Sequence, residues 1–98
     1  MRIDFDWDPE KAASNIAKHG VAFPEAMGVL NDPLARSIPD IVSREERWVT
    51  IGIAATGKLL VVVHTWVERG ADSATARIIP ARRPTRREAR QYREGETS

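Results

Sequence analysis

Residues 59–68, LLVVVHTWVE, open with the longest apolar run in the chain, five residues from Leu59 to Val63. A membrane-spanning helix needs about 20 such residues. A short run bounded by turn residues reads instead as a strand buried on both faces. What precedes it supplies its partner. Residues 47–54 alternate, with Val49, Ile51 and Ile53 on one face, and Ala55-Thr56-Gly57-Lys58 turns the chain. An antiparallel hairpin follows, with residues 59–68 as the central strand of a sheet. Residues 34–39 are expected as a short edge strand, residues 40–46 as a polar loop, residues 69–75 as a Gly/Asp/Ser loop and residues 76–81 as a further strand.

Ahead of the hairpin the period changes. RIDFDWDP alternates strictly, Ile3, Phe5 and Trp7 against Asp4, Asp6 and Asp8, which predicts a half-buried strand. Three aspartates on one face raise the question of a Mg²⁺ site, but repelling carboxylates on an exposed edge, which discourage edge-to-edge pairing, are the preferred account. Asp8 then caps a helix over residues 9–19, with Pro9 in its first position. Ala12, Ala13, Ile16 and Ala17 read as its apolar stripe. Lys18 and His19 fall in its last turn, where cations suit the helix dipole, and Gly20 supplies a left-handed cap, with Val21 folding back on Ile16. Phe23, Ala26, Met27 and Leu30 mark a second helix over residues 24–30, stopped by the Asn-Asp-Pro of residues 31–33. The helices of residues 9–19 and 24–30 are expected to cover the aliphatic Val61/Val63 face of the sheet.

The C-terminal stretch differs in charge. Residues 1–76 hold eight Lys and Arg against eleven Asp and Glu, a net −3, while residues 77–98 hold seven Arg against three Glu, a net +4. All of that basic charge is arginine, whose planar fork matches phosphate oxygens in pairs. PTRREARQYREG reads as a helix, with Thr85 and Glu88 as a capping box and Gly95 as its end. Arg86, Arg90 and Arg93 share one face, at i, i+4 and i+7. With Arg82, Arg83 and Arg87 they make six arginines in twelve residues, beside one aromatic, Tyr92, able to stack on a base. This pattern points to RNA or DNA, or else to a solvated helix face. The pattern of elements as a whole is α+β: a strand, two N-terminal helices, an antiparallel sheet of about three to five strands and a C-terminal helix.

Alternation along the central strand puts Leu60, Val62, His64 and Trp66 together, with Thr50 and Arg77 as expected neighbours. A histidine, an arginine and an aromatic on one sheet face suit a nucleic-acid cleft. The competing account makes His64 a satisfied core histidine and Trp66 a core aromatic. The chain has no cysteine, which leaves no disulfide framework and no thiolate nucleophile or metal ligand. Residues 1–10 carry four acids and no apolar run, so no signal peptide is expected, and a cytoplasmic single domain over residues 1–98 is.

FDWDPEKAASNIAKHGVAFPEA, LLVVVHT and RIIPARRPTRREARQY, in this order, resemble the BrnT toxins of bacterial type II toxin–antitoxin systems. The likeness runs over about residues 5–92. Lys18, His19 and Gly20 match that family's K-H-G, and Arg82 with Arg86, Arg87 and Glu88 matches its arginine-rich end. Pro80 and Pro84 depart from it, standing where the family pattern has serine and alanine, and the segment of residues 66–75 is longer.

The resemblance implies a RelE-like fold and a ribonuclease that works without metal or other cofactor and inhibits translation. It implies as partner a BrnA-type antitoxin with a ribbon-helix-helix domain, in a complex that represses its own operon. Operator DNA is then bound only through the antitoxin, and no membrane is involved. A dimeric antitoxin domain of that kind brings two toxins together in a symmetric 2:2 complex. RNA cleavage without metal uses the 2′-OH as nucleophile. It needs a base, cations for the charged phosphorane and an acid for the leaving oxygen. His64, His19 and Glu68 are candidates for proton transfer, and Arg77, Arg82 and Lys18 for the charge. Arg82, Arg83, Arg86, Arg87, Arg90, Arg93, Tyr92 and Trp66 are candidates for binding RNA or the antitoxin. A nucleic-acid- or partner-binding module without activity is the alternative.

Overall fold

Residues 1–40 and 46–94 are described by a computed structural model. Their elements are β1 (Arg2–Asp6), α1 (Pro9–His19), α2 (Phe23–Ala26), a 3-10 turn (Met27–Asn31), β2 (Arg36–Pro39), β3 (Arg47–Ile53), β4 (Leu59–Thr65), β5 (Val67–Gly70), β6 (Ser73–Arg82) and α3 (Arg86–Glu94). Among the described residues the strands form one six-stranded sheet in the order β1-β6-β4-β3-β2, with β5 pairing to β6 off that path. The class is α+β, as expected. The sheet is mixed rather than antiparallel, because β1 runs parallel to β6, from Arg2 opposite Ser73 to Asp6 opposite Arg77. That pairing joins the two ends of the fold and leaves no local trace in either stretch.

The expected 59–68 strand breaks at Trp66 into β4, which pairs with β3, and β5, which pairs only with β6. β6 begins at Ser73, so the expected loop of residues 69–75 shrinks to a tight turn between β5 and β6. The second helix is α-helical only over Phe23–Ala26 and tightens into the 3-10 turn. A Cβ on Gly28 would stand 2.5 Å from the backbone nitrogen of Ala55, so this turn lies directly on the β3–β4 connection. The expected loop of residues 40–46 falls mostly outside the described residues, as does Gly95 at the end of α3.

The hairpin register sets the faces of the sheet. Ile51 lies opposite Val61 and Val49 opposite Val63, while Thr50 meets Val62 and Gly52 meets Leu60. The core joins Leu60, Val62, Ile78 and Ala81 of the sheet to Val21, Phe23, Ala26 and Val29. The N-terminal helices therefore cover the Leu60/Val62 face, and the expectation that they cover Val61/Val63 is reversed. Aliphatic purity misled, because the polar residues of the covered face, Thr50 and His64, satisfy each other by hydrogen bonding instead of needing water.

Helix α1 corrects a second expectation. Ala13, Ile16 and Ala17 are exposed, Ile16 by 52%, and Asn15 is buried. β1 stops at Asp6 while β6 continues, which leaves the upper edge of β6 without a strand neighbour. Asn15 takes that place. Its Oδ1 accepts from the Ala81 N–H (3.1 Å), and its Nδ2 donates to the carbonyls of Ala81 (2.8 Å) and Val21 (2.9 Å). The side-chain amide pairs with β6 as a strand backbone would.

Both ends of α1 form as their residues require. Asp8 accepts from the Glu10 N–H at 2.9 Å. Gly20 is left-handed, with φ +69°, and donates to the Ile16 carbonyl. Val21 enters the core instead of folding back on the exposed Ile16. A Cβ on Gly20 would meet nothing within 4 Å, so Gly20→Ala carries only the cost of the left-handed backbone. We expect a loss of about 1 kcal/mol in urea unfolding, and a neutral substitution would show that the cap contributes nothing.

Candidate nucleic-acid interface

β6 ends at Arg82, and residues 83–85 lead into α3. The capping box forms as its spacing requires: Glu88 N–H donates to Thr85 Oγ1 (3.1 Å) and Thr85 N–H to Glu88 Oε1 (2.8 Å). The same carboxylate grips Arg82, from Nη1 to Oε1 at 2.8 Å and from Nη2 to Oε2 at 2.9 Å. The hydrogen bonds from Arg82, aided by those from Thr85, bring the Glu88 carboxyl down to about 2 against the opposing effect of burial. Hydrogen bonding to Glu88 likewise raises Arg82. With the Glu88 value depressed, the pair's support for the fold is complete above about 4.5 and fades as the pH falls toward about 2.

The far end of α3 is tied by Tyr92, whose hydroxyl donates to Asp32 Oδ2 at 2.6 Å. Asp32 also accepts from the Leu34 and Ile53 N–H groups. Burial alone would raise the Asp32 carboxyl, but these three bonds outweigh it and hold it below the usual carboxylate range. No described residue of α3 is buried. Between its two polar moorings the helix arches over a cleft of about 580 Å³, floored by Val49, Ile51 and Val61 and walled by Arg36, Glu88 and Tyr92. Ile38 at the rim is 63% exposed. On the outer side of α3, Arg86, Arg90 and Arg93 line one shallow hollow, as their spacing requires, and Arg83 and Arg87 are exposed nearby.

His64 does not join this surface. It is 3% exposed, on the helix-covered face. Its Nδ1 donates to the Thr65 carbonyl (2.8 Å), so in the neutral ring Nε2 accepts from the Thr50 hydroxyl (2.7 Å), which accepts from Ser37 (2.6 Å). Burial lowers its pKa, outweighing the bond to Thr65. Both ring nitrogens are committed, and His64 is neutral at pH 7. Trp66 packs edge-on against that ring, with centroids 6.3 Å apart.

Arg77, expected beside His64, is on the opposite face, paired with Asp6, and its N–H donates to Thr65 Oγ1. Between the pairings His64–Ile78 and Val62–Ala81 the register slips by one residue, so Arg82 returns to the face of Arg77 and lies opposite Val61. Glu68 stands on β5 opposite Ala74, eight residues of β6 away from Arg82, roughly 26 Å along a strand. The Asn15–Ala81 bonds instead bring the end of α1 to the end of β6. Lys18 and His19 are exposed there, within a turn of Asn15.

The expected sites thus divide into an upper group, Lys18, His19, Arg82 and Arg83 with the α3 arginines, and a lower group, Glu68 and Arg77. Arg36 was missed. Its alternation with Ile38 in a short edge strand was the available signal, and it shares the open face with Arg82. The N-terminal carboxylates are each engaged: Asp4 with Arg2, Asp6 with Arg77 and Asp8 in the helix cap. Among the described residues no three metal-ligating side chains are grouped to hold an ion, and no helix is long and apolar enough to cross a membrane.

A family model described as "Ribonuclease toxin, BrnT, of type II toxin-antitoxin system" matches residues 7–88. No curated protein matches the chain. The fold is similar to the crystal structure of the Brucella abortus ribonuclease toxin BrnT, at 23% identity and a TM-score of 0.59, over 88% of this chain and 100% of that one. With most of its length inside the family model, and with the arginine-rich end of β6 and α3 in place, the chain belongs to the BrnT family of ribonuclease toxins of type II toxin–antitoxin systems.

Proposed function

We propose that this protein is a metal-independent endoribonuclease that inhibits translation from the cytoplasm, acting as a single domain over residues 1–98. The observation that carries the proposal is the Arg82 guanidinium, fixed by Glu88 of α3 at the end of β6 on the open sheet face, with the end of α1 held to the neighbouring Ala81 backbone. In this reading Arg82 binds the scissile phosphate, and Lys18 adds charge as the phosphorane forms. His19, exposed in the last turn of α1, takes the proton from the 2′-OH. Attack by that oxygen on the adjacent phosphorus breaks the bond to the 5′ oxygen, which takes a proton from water as it leaves, giving a 2′,3′-cyclic phosphate and a 5′-OH end. His64, with both nitrogens committed, has a structural role. Arg83, Arg86, Arg87, Arg90 and Arg93 hold the flanking phosphates.

A type II toxin has an antitoxin partner. Here the proposed partner is a BrnA-like ribbon-helix-helix protein in a symmetric 2:2 complex, through which alone operator DNA is bound. Its acidic residues occupy the α3 arginines and exclude RNA from the same surface.

Expression of the chain without its partner tests the activity. Growth arrest with new RNA ends bearing cyclic phosphates, undiminished by EDTA in the purified reaction, is expected. His19→Gln should abolish those ends while the protein stays folded. Concentrated, folded protein that binds RNA and leaves it intact would replace the enzyme with a binding module.

A further inference from the structure

Arg82 has five N–H groups. Glu88 takes one from Nη1 and one from Nη2, on the edge between those two nitrogens. The Arg83 carbonyl takes the second from Nη1, at 3.2 Å. The Nε–H and the outer Nη2–H are left over. They lie side by side along the other edge of the plane, spaced to meet two oxygens of one phosphate. The Arg82 side chain is 38% exposed, and its Nε is not a buried polar atom lacking a partner, so that nitrogen keeps access to solvent.

Glu88 is well built to hold that orientation. Its Oε1 is fixed by the Thr85 N–H in the first turn of α3, and α3 is moored at its far end through Tyr92 and Asp32. The carboxylate is ionised throughout the physiological range. An arginine at a strand end would otherwise sample many rotamers, and ordering it on binding would offset part of the gain.

We propose that Glu88 is a positioning residue for RNA: by holding the Nη1/Nη2 edge of Arg82, it presents the Nε/Nη2 edge as a two-pronged receptor for a backbone phosphate. The proposal rests on the reading of Arg82 as a phosphate ligand. Charge counting alone makes the opposite forecast, since removing a carboxylate beside a polyanion should strengthen binding. The sign of the effect therefore discriminates.

Glu88→Gln keeps a side chain able to complete the capping box, because glutamine serves there too, but removes the charge that grips Arg82. Thr85→Ala does the reverse: it breaks the Thr85 hydroxyl bond to the Glu88 N–H and leaves the ion pair. Both variants are compared with Arg82→Ala and with the Arg82→Ala/Glu88→Gln double variant. Each is first shown to melt cooperatively. The probe is a short RNA whose 2′-OH groups are replaced by hydrogen, so that binding is read without cleavage.

Glu88→Gln should weaken binding about tenfold or more, and should flatten the fall of log K with log salt by about 0.7, one phosphate's worth on a single strand. Thr85→Ala should lower the melting temperature and leave both quantities unchanged. The double variant should bind no worse than Arg82→Ala. Equal or tighter binding by Glu88→Gln, or a further loss in the Arg82→Ala background, overturns the proposal. If Arg82→Ala binds like the wild type, the phosphate-ligand reading of Arg82 falls and takes this one with it. If Arg82→Ala weakens binding and Glu88→Gln does not, only the role given to Glu88 falls.

Discussion

Replacing Phe23 by alanine is expected to destabilise the protein by about 3–5 kcal/mol, the range for emptying a large aromatic site in a packed core. Phe23 is fully buried and belongs to the core that joins the N-terminal helices to Leu60, Val62 and Ile78. Its ring meets Trp7 edge to face, with centroids 5.9 Å apart. The core it belongs to has little bulk to move into the space, because several of its members are already small, Ala26, Ala54 and Ala81 among them. A domain of this size has a total stability of about 5–15 kcal/mol, so the variant should be partly unfolded at growth temperature. Urea unfolding with tryptophan fluorescence measures the loss. A value below about 1.5 kcal/mol would mean that the core is centred elsewhere.

The second large effect is expected from a substitution that hydrophobicity would recommend. Asn15→Leu puts an apolar residue of similar size at a buried helix position. Counting apolar residues, it should stabilise. The geometry forecasts a loss of about 3 kcal/mol or more, because the Ala81 N–H and the Ala81 and Val21 carbonyls would all lose their partner inside the protein. Hydrogen exchange at the Ala81 amide should accelerate more than at the β3–β4 amides. An Asn15→Leu variant as stable as the wild type would show that water replaces the amide. Ile16→Ala, one residue on, should change stability by less than about 0.5 kcal/mol, since Ile16 is largely exposed.

Those two neighbours show what the sequence could and could not disclose. Signals complete within a few residues were legible: the Asp8–Pro9 start and Gly20 end of α1, the Gly57 turn, the Thr85–Glu88 box and the shared face of Arg86, Arg90 and Arg93. Each depends on backbone geometry within about one turn. What was misread depends on pairing over long separations. The inward face of α1 is set by Ala81, not by the apolar stripe, so Ile16 and Asn15 exchanged places. The covered face of the sheet includes a threonine and a histidine that bond each other, which makes His64 the satisfied core histidine of the two accounts that the sequence left open. Arg77 and His64 were put together by simple alternation, which the slip between β4 and β6 and the parallel strand β1 undo. For the interface, the arginines were countable, whereas the choice of Arg82 as the one held in a fixed orientation required Glu88, read in the sequence only as a cap.

The parallel pairing of β1 with β6 also governs the order in which the molecule comes together. The β3–β4 hairpin closes a short turn and can form within microseconds of its synthesis. Asp6 and Arg77 are 71 residues apart and Asn15 and Ala81 66 apart, so β1 and α1 have nothing to dock on until β6 exists. Closing such distant contacts is slow relative to local ones. Only that docking brings the end of α1, with Lys18 and His19, to the end of β6. A ribosome-bound chain that stops short of residue 81 therefore has a hairpin but no assembled upper end, and the end of α1 has no hold on β6 until that residue has emerged.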